Sequence, residues 1–120
     1  MDFIILGFIT SKKNIMLTTT TPQVDGRPIR QYLGVVSAET IIGANFLKDF
    51  LANLTDFFGG RSKTYEKVLR EGKETVMQEL QMEATKLGAN AIVGIDIDYN
   101  TIGGNGSMLM IVGTGTAVVL

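Results

Sequence analysis

The sequence predicts an α+β domain, a two-layer α/β subunit in which an antiparallel sheet carries two helices on one face. Three observations predict it. β-branched, alternating segments occupy both ends of the chain, two stretches of helical period fill its middle, and Gly- or Pro-containing breaks separate them. The resulting order is β-β-α-α-β-β. A chain of 120 residues is one domain, since domains typically run ~100–150 residues. Apolar residues make up 45% of it. Charged residues reach 19%, below the usual ~25%. That balance leaves more apolar surface than one small core can hide, and it favours burial between subunits.

The elements follow in order. Leu17-Thr18-Thr19-Thr20-Thr21 is β-branched and stops at Pro22, a short strand. Asp25-Gly26 turns the chain. Residues 29–39 carry Ile29, Tyr32, Val35 and Val36 and predict a second strand. Between residues 43 and 58 the period changes: Leu47, Phe50, Leu51, Leu54 and Phe57 or Phe58 recur as one face of a helix. Gly59-Gly60 stops it. A longer helix is predicted over residues 62–87, with Ser62 as N-cap and a stripe of Tyr65, Leu69, Val76, Leu80, Ala84 and Leu87. Glu66–Arg70, Lys67–Glu71 and Arg70–Glu74 are spaced to pair on its outer side. Lys86 and Gly88 mark its end. Gly72 inside it costs about 1 kcal/mol against Ala, and close approach of another helix, a neighbour's included, would account for it. Residues 91–99 alternate Val93, Ile95, Ile97 and Tyr99 against Gly94, Asp96 and Asp98. Gly103-Gly104-Asn105-Gly106 turns the chain into a last strand over 107–120, antiparallel to its predecessor.

The composition excludes more functions than it suggests. A net charge of −1, from 11 basic and 12 acidic residues, offers no field for nucleic acid. With no Cys and no His, disulfides, thiolate and imidazole catalysis, and the commonest soft-metal ligands are all absent. The apolar run from Phe3 to Ile9 falls far short of the ~20 residues that span a bilayer, and its flanks are wrong for a signal peptide. No membrane partner and a cytoplasmic location are therefore expected. Residues 1–15 are an N-terminal extension ahead of a start at Met16, a non-native addition, or an extra edge strand.

Gly59-Gly60-Arg61-Ser62 precedes the long helix. It is read as a plain helix joint or, functionally, as an anion site in which N–H groups, the helix dipole and Arg61 converge on a carboxylate or phosphate. It is neither a Walker loop nor a dinucleotide fingerprint. Glu39, Asn45, Asp49, Arg61, Tyr65 and Glu66 form the densest polar cluster if their segments converge. Asp96 and Asp98 share a strand face; they fail as a calcium loop because Thr101 and Ser107 stand where Gly and Glu are needed. They are weak candidates for a hard cation. Met108 and Met110 share a face of the last strand and read as core.

Taken together, four segments carry a resemblance: Val36-Ser37-Ala38-Glu39 leading to Gly43-Ala44-Asn45; Gly59-Gly60-Arg61-Ser62 with Tyr65-Glu66; Leu87-Gly88-Ala89-Asn90-Ala91-Ile92-Val93-Gly94-Ile95-Asp96; and Gly106-Ser107-Met108-Leu109-Met110 with Gly115-Thr116-Ala117-Val118. From about Met16 to Leu120 the chain resembles the YbjQ-like family. The resemblance implies a dodecin-like fold assembling into a ring, as a homopentamer, and implies no known reaction. The family is often labelled "putative heavy-metal-binding". Heavy metals want thiolate or imidazole, which this chain lacks, so the composition argues against that label.

The expectation is a non-enzymatic homo-oligomeric module that binds a small anionic ligand at Arg61, Ser62, Tyr65, Glu66, Glu39, Asn45 and Asp49, with no cofactor. The packing of Phe46, Phe50, Phe57 and Phe58 is expected partly between subunits. A metal- or carboxylate-dependent enzyme using Glu39, Asp49, Glu66 or the Asp96/Asp98 pair is one alternative. A structural scaffold without ligand is the other.

Overall fold

The computed structural model describes residues 16–43, 60–104 and 108–120, and within the helix the side chains from Glu66 onward. Its elements are β1 (Leu17–Thr18), β2 (Gln31–Ile42), α1 (Gly60–Lys86), β3 (Ala91–Ile102) and β4 (Met108–Val119). Residues 44–58 of the helix expected over residues 43–58 lie outside the described residues, as do residues 1–15. No helix among the described residues is long and apolar enough to cross a membrane.

The sheet is mixed, not antiparallel. Its order is β1-β3-β4-β2, with β1 parallel to β3 and the other two pairs antiparallel. The parallel pair arises because β1 docks beside β3, some seventy residues away along the chain, Leu17 opposite Ala91. β1 is also shorter than residues 17–21 predict. The Thr21 N–H donates to the Thr19 hydroxyl (3.1 Å), and the Thr21 hydroxyl donates to the Gln23 carbonyl (2.7 Å). Local side-chain bonds of this kind compete with the strand ladder and bend the backbone. The Thr21 proton being committed to Gln23, the 2.8 Å contact between the two hydroxyls has Thr19 as its donor. Asp25-Gly26 makes the expected turn: Arg27 N–H donates to Val24 (3.1 Å), and Gly26 adopts a φ of 77°.

α1 packs on one sheet face through Val68, Gly72, Val76, Leu80 and Ala84, all buried, a ridge of i+4 steps. The predicted stripe placed Leu69 and Leu87 there instead. Leu69 is half-buried and Leu87 exposed, because an i+4 ridge runs oblique to the helix axis and follows the twist of the sheet. Gly72 admits a strand, not another helix: a Cβ there would collide with the Cδ1 of Ile111 on β4. Gly113 does the same for the helix, since its Cβ would lie 2.5 Å from Val76 Cγ1. The three predicted pairs on the outer side of the helix do not close. Among the described residues, the ion pair that forms is Lys86–Glu83 at 3.1 Å. The helix ends as its sequence indicates. Gly88 has a φ of 88°, Ala89 N–H reaches Ala84 and Gly88 N–H reaches Thr85, each at 3.0 Å, which is a Schellman closure.

β3 departs from simple alternation. Ile92, Ile95 and Ile97 belong to the core beneath the helix, while Ala91 and Val93 join Val118 and Leu120 on the opposite face. A bulge between Val93 and Asp96 reverses the parity, with Gly94 at a φ of 64°. The chain after β1 holds that bulge: Gly94 N–H donates to Thr21 (2.9 Å) and Ile95 N–H to Thr19 (3.1 Å). Val93 therefore does not share a face with Ile95 and Ile97 as alternation predicts.

Candidate functional site

α1 begins at Gly60, so Ser62 stands within its first turn and is not the N-cap. Glycine at the start of the helix is compatible with this, since it costs little at that end. The backbone carries Arg61 and Ser62 through the first turn and Tyr65 and Glu66 beyond it. That first turn contains no acidic residue. Glu66 is exposed. Asn45 and Asp49 lie outside the described residues. Behind this end of the helix, Thr40 and Ile42 of β2 face Val68, Glu71, Gly72 and Thr75 across a shallow groove of about 140 Å³. The Thr75 hydroxyl is committed to the Glu71 carbonyl at 3.0 Å.

The other sheet face holds the remaining carboxylates. Val36 and Ala38 point into the core, so Val35, Ser37, Glu39 and Ile41 point away from the helix, and all four are exposed. On β4 the same face carries Met108, Met110, Val112, Thr114 and Thr116. Register sets these into rows. Ser37, Thr114 and Asp96 form one; Glu39, Val112 and Asp98 form the next; Ile41, Met110 and Asn100 follow. Glu39 and Asp98 thus flank Val112 at two strand spacings, about 9–10 Å. Glu66 belongs to the helix layer on the far side of the sheet. Within one chain, Glu39 and Glu66 do not meet.

Asp96 and Asp98 do meet. A side-chain hydrogen bond with Asp96 raises the Asp98 carboxyl above its ordinary 3.8, the charge of Asp96 raises it further, and slight desolvation adds to both. The i, i+2 spacing signals this pair. The row that Glu39 shares with Asp98 carries no such signal, because two different strands must register against β4 to create it. Met108 and Met110 share a face, as expected, but it is the open face, and both are half-buried there and not core. Among the described residues, no three His, Cys, Asp or Glu side chains gather closely enough to hold a metal ion.

A family model described as "Putative heavy-metal-binding" matches residues 16–120. Two proteins of Caulobacter vibrioides, from strains NA1000 / CB15N and ATCC 19089 / CIP 103742 / CB 15, are each named UPF0145 protein. Each is 54% identical over 105 residues, covering 88% of this chain and 100% of the relative. A crystal structure of a protein of unknown function from the DUF74 family of Pediococcus pentosaceus ATCC 25745 aligns with a TM-score of 0.50 at 18% identity. It covers 88% of this chain and 97% of that one, and the likeness is one of fold.

Proposed function

The chain belongs to the YbjQ family, and from that premise we propose a homo-oligomeric module that binds a small anionic ligand at the N-terminal end of α1. One observation carries the reading: the first turn of a 27-residue helix bears no acidic residue but contains Arg61 and Ser62. The positive end of the helix dipole is left without a counter-charge in that turn, and the turn's sequence supplies an Arg, a residue type suited to carboxylate or phosphate. The open sheet face supports assembly. Val35 (77% exposed) and Ile41 (54% exposed) lie there beside half-buried Met110 and Val112, a patch that association would cover. A pentameric ring, with Asn45, Asp49 and Glu39 completing the cleft between copies, is the specific form of the proposal.

The donor set does not fit a heavy-metal centre. Soft cations select thiolate and imidazole, and the chain has neither. The described carboxylates do not gather in threes. No step is assigned to a metal. The carboxylate-enzyme alternative draws its support from the Asp96–Asp98 pair alone.

Native mass spectrometry of the full chain, before and after gentle denaturation, counts subunits and weighs any bound molecule. Thermal shift with inorganic phosphate and with citrate then reads the site. An increase in Tm that Arg61→Ala abolishes is the expected result. A monomer, or an equal shift in the Arg61→Ala variant, overturns the reading.

A further inference from the structure

We propose that the groove formed by β1 and the turn that follows it binds a small primary amine as its ammonium ion. The groove has a volume of about 540 Å³, inside the roughly 300–1,000 Å³ of small-molecule sites. Leu17, Pro22 and Val24 give it an apolar wall, and Thr19, Thr21 and Asp25 a polar one. No Lys or Arg lines it, and Asp25 is its one charged side chain. None of its residues belongs to α1, so the site stands independently of the anion site at the start of that helix.

Hydrogen bonding decides which chemistry the polar wall accepts. A threonine hydroxyl has one proton and two lone pairs. Thr21 gives its proton to the Gln23 carbonyl, and Thr19 gives its own to Thr21. Each hydroxyl also accepts one bond, Thr19 from the Thr21 N–H and Thr21 from Thr19. Each therefore keeps a lone pair and has no proton to offer. With the Asp25 carboxylate, these groups form a set of acceptors. An ammonium ion is the converse, three donors and no acceptor, and its charge is opposite to that of Asp25. The apolar wall receives the alkyl chain. Thr18 and Gln23, which also line the groove, can each donate or accept. The backbone holds the acceptors in place before any ligand arrives: the Thr19 carbonyl accepts from Ile95 N–H (3.1 Å) and the Thr21 carbonyl from Gly94 N–H (2.9 Å). Such preorganisation lowers the ordering cost of binding. A ligand that grips Thr19 and Thr21 also strengthens their hold on the β3 bulge.

Titration of the full chain with n-butylammonium chloride, followed residue by residue in amide NMR spectra, tests the site. Sodium chloride keeps the ionic strength constant, and n-butanol supplies the same chain without the charge. Saturable shifts are expected at residues 17–25 and at Gly94 and Ile95, with hydrogen exchange at the Gly94 and Ile95 amides slowed as the site fills. n-Butanol should bind more weakly by about threefold, the scale of one exposed ionic contact. Asp25→Asn keeps a turn-forming residue ahead of Gly26 and should weaken the ammonium ion by about the same factor. Equal affinity for n-butanol, unchanged affinity in Asp25→Asn, or the absence of saturable shifts at residues 17–25 overturns the proposal.

Discussion

The two faces of the sheet use the same strands for opposite purposes. Beneath α1, glycines take the place of side chains so that helix and sheet can touch: Gly72 meets Ile111 and Gly113 lies under Val76, while Gly115 leaves room for Ile92 and Ile95 of the adjacent strand. On the open face, Val35, Ile41 and Met110 alternate with Ser37, Glu39, Asp96 and Asp98, and much of that surface stays accessible. Close packing makes the first face intolerant of added or removed atoms. The second holds the chain's surplus of apolar surface together with its paired carboxylates. The larger core therefore lies beneath the helix, while the opposite face has a smaller one at the end around Ala91, Val93 and Val118 and leaves the rest of its surface available for recognition.

Substitutions on each face test that division. Leu80→Ala, at a fully buried helix position, should lower unfolding free energy by about 2–5 kcal/mol in urea titration. Gly113→Ala should cost about 1–3 kcal/mol, because the new methyl meets Val76 and also approaches Leu80 Cδ1 to 3.1 Å. Ile41→Lys should change the stability of the subunit by no more than about 0.5 kcal/mol while lowering the subunit count in native mass spectrometry. A large loss of subunit stability there would erase the distinction between the faces.

The smallest effect concerns pH. Asp98 holds its proton more tightly in the folded chain, so its contribution is most favourable at acid pH and declines as pH rises from the ordinary 3.8 through the raised value. Asp98→Asn should therefore raise Tm slightly at neutral pH, and the difference should vanish on acidification. A variant whose advantage grows in acid would contradict the repulsion between Asp96 and Asp98.

Local signals in the sequence proved sufficient where the structure depends on local bonds. Lys86 and Gly88 announce the helix end because its closure involves only residues within that turn. Asp25-Gly26 is legible for the same reason. The bulge at Gly94 is not, since its hydrogen bonds come from Thr19 and Thr21, and β3 by itself reads as an unbroken alternation. The helix ridge is likewise set by the twist of the sheet beneath it, which moved burial from Leu69 to Val68 and Gly72. Of the candidate site, the i, i+2 carboxylates were readable. The Glu39–Val112–Asp98 row required the register of three strands.

The dependence of the bulge on Thr19 and Thr21 has a bearing on the order of folding. The β3–β4 hairpin closes across a short connection, whereas β1 must close a loop of roughly seventy residues to reach Ala91 and Ile92, and such closures are slow and entropically costly. Until β1 arrives, nothing among the described residues outside the hairpin holds Gly94 in its left-handed conformation. The straight, unbulged pairing that the alternation of Val93, Ile95 and Ile97 favours is then a competitor that turns half of β3 to the wrong face. Docking of the threonine segment both completes the sheet and selects its register, so the last contacts to form decide which side of β3 becomes the core.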